Sequence, residues 1–254
     1  MDLVKEQYKN ADQLNIRIAL HDKYSTNRLG LRNWLLANFE IPDNSKVLEV
    51  GCGTGVLWKG HLGLFEHGSK LLLTDFSQGM VDEARQNLGE LKNLEYQQMD
   101  IQAIPFEVGT FDVIIANSML YHIPDKERAL SEVARVLKKD GVFYCSTYGE
   151  HGLLGYIADS LKEFGVEDRV NNSFTLQNGL ALLQRYFSKV TRIDYEDSLA
   201  ITNVEDLIAY IRSCTSMTNV TEIPYDVLKE HLESQMVNGV ITIPKEHGMF
   251  ICRS

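Results

Sequence analysis

The sequence predicts an α/β protein built on a doubly wound, largely parallel sheet, and three observations carry that expectation. The run Lys-Val-Leu-Glu-Val-Gly-Cys-Gly-Thr-Gly at 46–55 reads as a buried strand entering a glycine-rich turn. Gly51, Gly53 and Gly55 open backbone conformations closed to residues with a Cβ and let a ligand approach the main chain. A second apolar run, Lys-Leu-Leu-Leu-Thr-Asp at 70–75, ends in a carboxylate. An acid at the tip of the second strand, about 20 residues beyond the glycines, is where such a sheet holds a ribose through its hydroxyls. Finally, strand-like and helix-like segments alternate as far as residue 147, which implies parallel strands joined by right-handed crossovers.

Taken in order, residues 5–24 predict a helix, with Ala11, Leu14 and Ile18 on one face. Residues 28–39 predict a second, through Leu31, Trp34, Leu35 and Phe39, stopped by Pro42. The two carry a polar and aromatic set, Tyr8, Arg17, His21, Tyr24 and Arg28, which fits either a solvated face or the inner side of a lid. From Val56 a helix is expected to open with its N-terminal N–H groups toward the ligand. Ser77 is a good N-cap, followed by Met80, Ala84 and Leu88 on one face. Leu94–Met99 predicts the third strand, leading to Asp100 and Ile101, and Phe111–Ala116 the fourth, apolar except for Asp112. Asp125 should cap a helix through Leu130, Val133, Ala134 and Leu137, with Lys138 and Lys139 in its last turn and Gly141 as its stop. Val142–Thr147 is the fifth strand.

Beyond residue 150 the periodicity weakens. Residues 150–173 hold several glycines and a short helix, as a mobile segment near a pocket would. Leu176–Phe187 predicts a helix and Lys189–Tyr195 a sixth strand. Asn203 should cap a helix through Val204, Leu207, Ile208 and Ile211, and Pro224 should open another through Tyr225, Leu228 and Leu232. Val240–Ile243 and Met249–Cys252 read as strands around the turn Pro-Lys-Glu-His-Gly.

The 254 residues suit one domain plus an elaboration, and 44% hydrophobic with 24% charged residues is ordinary globular composition. A formal net charge of −10 argues against a nucleic-acid partner, which needs a basic footprint. Cys52, Cys145, Cys214 and Cys252 are too widely separated for a local metal motif and are expected to be reduced, mostly buried small hydrophobes. No metal site is expected. The N-terminal residues carry charges throughout, and no stretch approaches about 20 consecutive apolar residues. A cytoplasmic protein without membrane contact is the expectation; the oligomeric state is left open.

Four stretches together carry a resemblance: Val-Leu-Glu-Val-Gly-Cys-Gly-Thr-Gly at 47–55, Thr-Asp-Phe-Ser at 74–77, Met-Asp-Ile at 99–101 and Phe-Asp-Val-Ile-Ile-Ala at 111–116. They resemble the class I S-adenosylmethionine-dependent methyltransferases. Leu-Tyr-His-Ile-Pro-Asp at 120–125 and the helix that follows it resemble the type 11 branch. The resemblance implies a Rossmann-like seven-stranded sheet whose last strand runs antiparallel, with an α-helical cap. It implies a helical lid at 1–42, a cofactor-binding core at 43–150, a mobile pocket segment at 151–175, and the end of the sheet at 176–254 with a helical insertion at 203–238.

It also implies roles. The turn from Gly51 through Cys52 and Gly53 to Gly55 would pass the methionine part of S-adenosylmethionine, and Glu49 would attract its ammonium. Asp75 would accept from the ribose hydroxyls, Phe76 and Met80 would pack on the adenine, and Asp100 with the Ile101 N–H would read its edge. Asn117 ends the fourth strand at the carboxyl edge of the sheet, where open α/β folds bind ligands. Tyr121 and His122 are the catalytic candidates, His122 because an imidazole can accept a proton near neutrality. Tyr148 and His151 join the N-terminal set as acceptor-side candidates. The expected activity is in-line methyl transfer to O, N or C of a small molecule, leaving S-adenosylhomocysteine. Asn117-Ser-Met-Leu departs from the Asn-Pro-Pro-Tyr of base and glutamine-amide methyltransferases, and no catechol-type metal set is present. A cofactor-binding sensor without turnover is the main alternative. A nicotinamide oxidoreductase is disfavoured by the G-x-G-x-G spacing, and a macromolecular methyltransferase by charge.

Overall fold

In the computed structural model, which describes residues 11–214 and 216–254, the predicted strands form one seven-stranded sheet. These are β1 (Lys46–Val50), β2 (Lys70–Asp75), β3 (Leu94–Gln98), β4 (Phe111–Asn117), β5 (Leu137–Tyr148), β6 (Lys189–Ile201) and β7 (Ile241–Arg253). Their order is β3-β2-β1-β4-β5-β7-β6. The first five run parallel, and β7 lies antiparallel to β5, with Val142 opposite Arg253 and Tyr148 opposite His247. Every residue of β1 after Lys46 is buried, because both faces of the strand are covered. Alternate residues therefore enter different cores. Leu48, Ile114 and Phe143 join one, and Val47, Leu71, Val113 and Tyr144 the other.

The chain separates into two units. The larger comprises Leu31–Gly149, Asn172–Tyr195 and His247–Ser254. The other comprises the described residues up to Gly30, Glu150–Asn171 and Glu196–Glu246. Its helices, α1 (Ala11–Tyr24), α5 (Leu153–Ser160), α7 (Val204–Ser213) and α8 (Tyr225–Ser234), share a core containing Leu20, Tyr24, Ile157, Leu207, Ile211, Leu228 and Leu232. The last residues of β6 and the first of β7 close that core through Leu199, Ile201, Ile241 and Ile243. Asn203 caps α7 by accepting from the Glu205 N–H, and Pro224 opens α8, as their positions predict. The larger unit holds α2 (Leu31–Asn38), α3 (Gln78–Leu88), α4 (Lys126–Val136) and α6 (Gly179–Leu183).

Several elements differ from expectation. Of the two described helices expected in the lid segment, α1 belongs with the smaller unit, and α2 buries Leu35 and Leu36 in a sheet core of the larger one. Each of those leucines contributes roughly 1.5–3 kcal/mol by burial. The segment 151–175 is likewise divided, at Asn171. No α-helix follows Gly55; there are two 3-10 turns, Val56–Trp58 and Leu62–Phe65, interrupted by Gly60 at φ +82°. The helix before β5 ends at Val136, so Lys138 already lies in β5, where its ammonium meets the Asp112 carboxylate at 2.7 Å. Gly141 is no helix stop. It sits inside β5, and a Cβ there would come within 2.9 Å of the Asp112 carbonyl. The helix expected over 176–187 shrinks to α6 because Thr175 and Asn178 bond each other's backbone N–H first. The two strands expected after residue 240 are one. Gly248 keeps β7 extended and close to β6, where a Cβ would approach the Ile193 carbonyl to 2.7 Å.

Candidate functional site

The site grows from the carboxyl ends of β1, β2 and β4. β1 pairs with β2 on one side and β4 on the other, so connections leave it in opposite directions, the switch point at which open α/β sheets bind ligands. The turn leaving β1 holds Gly51, Gly53 and Gly55 at φ +67°, +55° and +71°, left-handed geometry that glycine takes without strain. Gly51 must also lack a side chain for space, since a Cβ would meet Met119 Cγ at 2.9 Å. Gly53 is different: nothing lies within 4 Å of where its Cβ would be, so the main chain is bare on that side.

Asp75, at the tip of β2, locks this turn. One carboxylate oxygen accepts the Gly53 N–H at 3.0 Å and the other accepts the Ser77 N–H at 2.9 Å. The Cys52 N–H donates to the Thr74 carbonyl, and the Thr74 hydroxyl to the Glu49 carbonyl. Cys52 itself is buried, and desolvation pushes its thiol up, out of the nucleophilic range. Phe76 follows Asp75 with 60% of its surface exposed, an apolar face for a flat ring, and Met80 is half-buried near the start of α3.

Glu49 is the anomaly of the sheet, an acid only 2% exposed in the middle of β1. The Trp58 indole N–H donates to one oxygen at 2.5 Å and the Asn117 amide to the other at 3.3 Å. Asn117 is steadied in turn by the Ser146 hydroxyl, which donates to its carbonyl oxygen from the adjacent position of β5. Among the described residues no lysine or arginine contributes to its electrostatics. Burial pushes its carboxyl up to about 7, opposed by the Trp58 and Asn117 donors and reinforced by the Asp75 charge. A buried carboxylate held by donors and lacking a cation fits a ligand that brings one.

The remaining sequence candidates divide by unit. Asp100 accepts from the backbone and amide N–H groups of Gln102, and Ile101 is buried in the core. Beyond Gln102 opens a shallow cavity of about 430 Å³ bordered by Ile104, Pro105, Arg128 and Glu132. Tyr121 gathers His122 and Tyr148, with ring centroids 4.4 and 4.8 Å away. Burial, then the nearby Lys126 ammonium, lowers the His122 pKa below its usual value. Tyr8 lies outside the described residues. Arg17, His21, Tyr24, Arg28 and His151 belong to the smaller unit. There Arg17 donates to the Ser213 carbonyl at 2.8 Å and the Tyr24 hydroxyl to Asp206 at 2.5 Å. His21 sits edge-on to Tyr210, its pKa taken down to about 4 by burial and then by Lys245. Arg28 and His151 are exposed, and the His151 N–H donates to Glu246.

Trp58 and Ser146 escaped the sequence reading. Trp58 sits in a segment expected to be helical, where its indole has no reason to turn back to β1. Ser146 shows only through its register with Asn117, which needs the pairing of β4 with β5.

A doubly wound sheet with an antiparallel seventh strand, a glycine turn latched by an acid on β2, and a buried acid on β1 together define a Rossmann-like α/β domain. Residues 48–145 match the family described as methyltransferase domain. The chain is 32% identical over 102 residues to the ubiquinone biosynthesis O-methyltransferase of Coxiella burnetii, covering 40% of this chain and 42% of that protein. It is 28% identical over 177 residues to the malonyl–acyl-carrier-protein O-methyltransferase of Geobacter sulfurreducens, covering 66% and 64%. It thus spans about two fifths of the former relative and under two thirds of the latter. Among solved structures, the YcgJ protein of Bacillus subtilis superposes with a TM-score of 0.55 at 20% identity, over 88% of this chain and 98% of that one. The 4+2 cyclase SpnF superposes at 0.54 with 13% identity, over 88% and 80%. These likenesses show a common fold.

Proposed function

We propose that the protein transfers a methyl group from S-adenosylmethionine to a small-molecule acceptor. The observation that carries the reading is Glu49, a buried carboxylate aimed by two donors beside a bare glycine main chain. S-adenosylmethionine, when bound, supplies a methyl group on a sulfonium, an already good leaving group, so the chain has mainly to position its ligands. Glu49 attracts the ammonium, the Gly51–Gly55 turn admits the amino-acid part, and Asp75 accepts from the ribose. Phe76 and Met80 flank the adenine, whose edge falls to Asp100 and the Ile101 N–H. The net charge of −10 favours a small acceptor over nucleic acid, and O-, C- and N-methyltransferases among the relatives leave the acceptor atom open among the three.

His122 is the proton acceptor of this reading, its ring packed against Tyr121, which Tyr148 backs in turn. Its lowered pKa keeps the imidazole neutral and able to take a proton at physiological pH. His122→Ala is expected to lower turnover by about 10²–10⁴-fold. It should leave the Kd for S-adenosylmethionine unchanged and erase the acid limb of the pH–rate profile. Turnover within a few-fold of wild type would remove His122 from the chemistry.

The function is tested by incubating the protein with methyl-labelled S-adenosylmethionine and a cell extract, then separating small molecules from macromolecules. Label in the small-molecule fraction is expected. Label on protein or nucleic acid would overturn the acceptor class. Binding without transfer would replace the enzyme by a cofactor sensor.

A further inference from the structure

Trp58 has two sets of contacts, and only one of them concerns the site. Its rings pack with Phe39 at 6.0 Å and Phe65 at 5.2 Å between centroids, as a core residue's would. Its one polar atom donates to Glu49 Oε2. The residue is fully buried, so this N–H would have no water to turn to if Glu49 were absent. The 3-10 turn at Val56–Trp58, in place of a helix, is what brings the indole back over β1. Arg32 Nε holds that turn from outside by donating to the Leu57 carbonyl at 3.0 Å.

We propose that Trp58 is a positioning residue for the cofactor's ammonium: its indole N–H holds the Glu49 carboxylate ionised and aimed, and so sets how far into acid the site can bind. The proposal rests on the cofactor reading above and adds to it a residue outside the glycine and acid motifs. The groups facing Glu49 are few. Trp58 donates from the turn and Asn117 from β4, Asp75 on β2 opposes ionisation by its charge, and the Cys52 thiol is neutral. Of the two donors Trp58 makes the shorter bond, and a donor to a carboxylate favours its charged form. Removing it must leave Glu49 protonated to higher pH, where it no longer attracts a cation.

The test is calorimetric titration of S-adenosylmethionine between pH 5 and 8.5 into wild type, Trp58→Phe, Glu49→Gln and the double variant. Phenylalanine keeps ring packing against Phe39 and Phe65 and removes the N–H. The acid limb of affinity is expected to move up by about one pH unit in Trp58→Phe, weakening binding about tenfold near neutrality. In the Glu49→Gln background the same substitution should shift nothing. Binding of 5′-methylthioadenosine, which has no ammonium, should not change with Trp58→Phe. If phenylalanine does not support folding, a benzothienyl side chain at position 58 in a Trp34→Phe background keeps both rings and removes only the donor. An unmoved acid limb, or equal losses for both ligands, would reduce Trp58 to a packing residue. Wild-type protein that binds 5′-methylthioadenosine but shows no acid limb would also overturn the proposal, leaving the nucleoside site standing. Wild-type protein that binds neither ligand would end the cofactor reading itself.

Discussion

At the scale of single residues, the site trades stability for binding. Glu49 has a folded-state pKa of about 7, above its unfolded value of 4.5. An acid whose pKa rises on folding is favourable when protonated, so its contribution is fully present below pH 4.5 and is lost as pH rises through 7. Glu49→Gln is therefore expected to raise Tm at pH 8 by the equivalent of a few kcal/mol, a gain that vanishes near pH 4.5, while weakening cofactor binding. Thermal melts across that range check it; an equal gain at both pH values would mean that ionisation is not the cause. Asp75 differs, because its carboxylate already has two backbone partners. Asp75→Ala should cost about 1–3 kcal/mol of S-adenosylmethionine affinity, both by losing a ribose acceptor and by freeing the Gly53 turn. Unchanged affinity by calorimetry would displace the ribose from β2. The glycines and Asp75 were legible in sequence because backbone freedom and strand-tip position are local properties. The partners of Glu49 were not, since Trp58 and Asn117 reach it through a turn and a neighbouring strand.

At the scale of elements, apolar periodicity predicted what lies mid-element and failed at the ends. The strands β1, β2 and β4 emerged where continuous burial demands them, and α7 and α8 where Asn203 and Pro224 stand. Some failures are local, as where Thr175 and Asn178 bond each other's backbone before α6, and others come from tertiary contacts overriding local signals. Gly141 resembles a helix stop and Gly248 the end of a turn in sequence, but both serve as close approaches between strands. The Pro-Lys-Glu-His-Gly stretch resembled a turn, yet Lys245 in it is a structural cation, its ammonium 2.6 Å from the fully buried Asp197 side chain on β6. Burial alone would raise the Asp197 pKa, but donors from Lys245, Ser25 and the Asn27 N–H hold it down at about 2. That depressed value means the pair's stabilisation is present above pH 3.8 and lost as pH falls through 2. Lys245→Met should destabilise by about 3–5 kcal/mol, because it strands a buried charge, whereas adding Asp197→Leu should recover much of the loss. Hydrogen exchange is the measurement, with loss of protection expected in residues 196–246. A single variant as stable as wild type would show the pair to be dispensable.

At the scale of the whole molecule, three sequence-distant segments build each unit, and the chain passes between units five times, at Gly30, Gly149, Asn171, Tyr195 and Glu246. Among the described residues no helix is long and apolar enough to cross a membrane. The strand order carries a consequence in time. β7 lies between β5 and β6, although β6 precedes it in the chain and residues 202–240 separate the two. During synthesis β6 reaches solution before the strand that is its neighbour in the sheet, and until β7 docks β5 has an open edge that offers unpaired amides to any other chain. Pulse-labelled refolding should therefore show β6 amides protected no earlier than those of β7, with β1, β2 and β4 protected first. Early protection of β6 alone would mean that it docks without its neighbour. A ribosome translating this protein thus releases first the half that carries the glycine turn, whose strands can begin to pair, followed by a strand that is committed late and most exposed to aggregation while it waits.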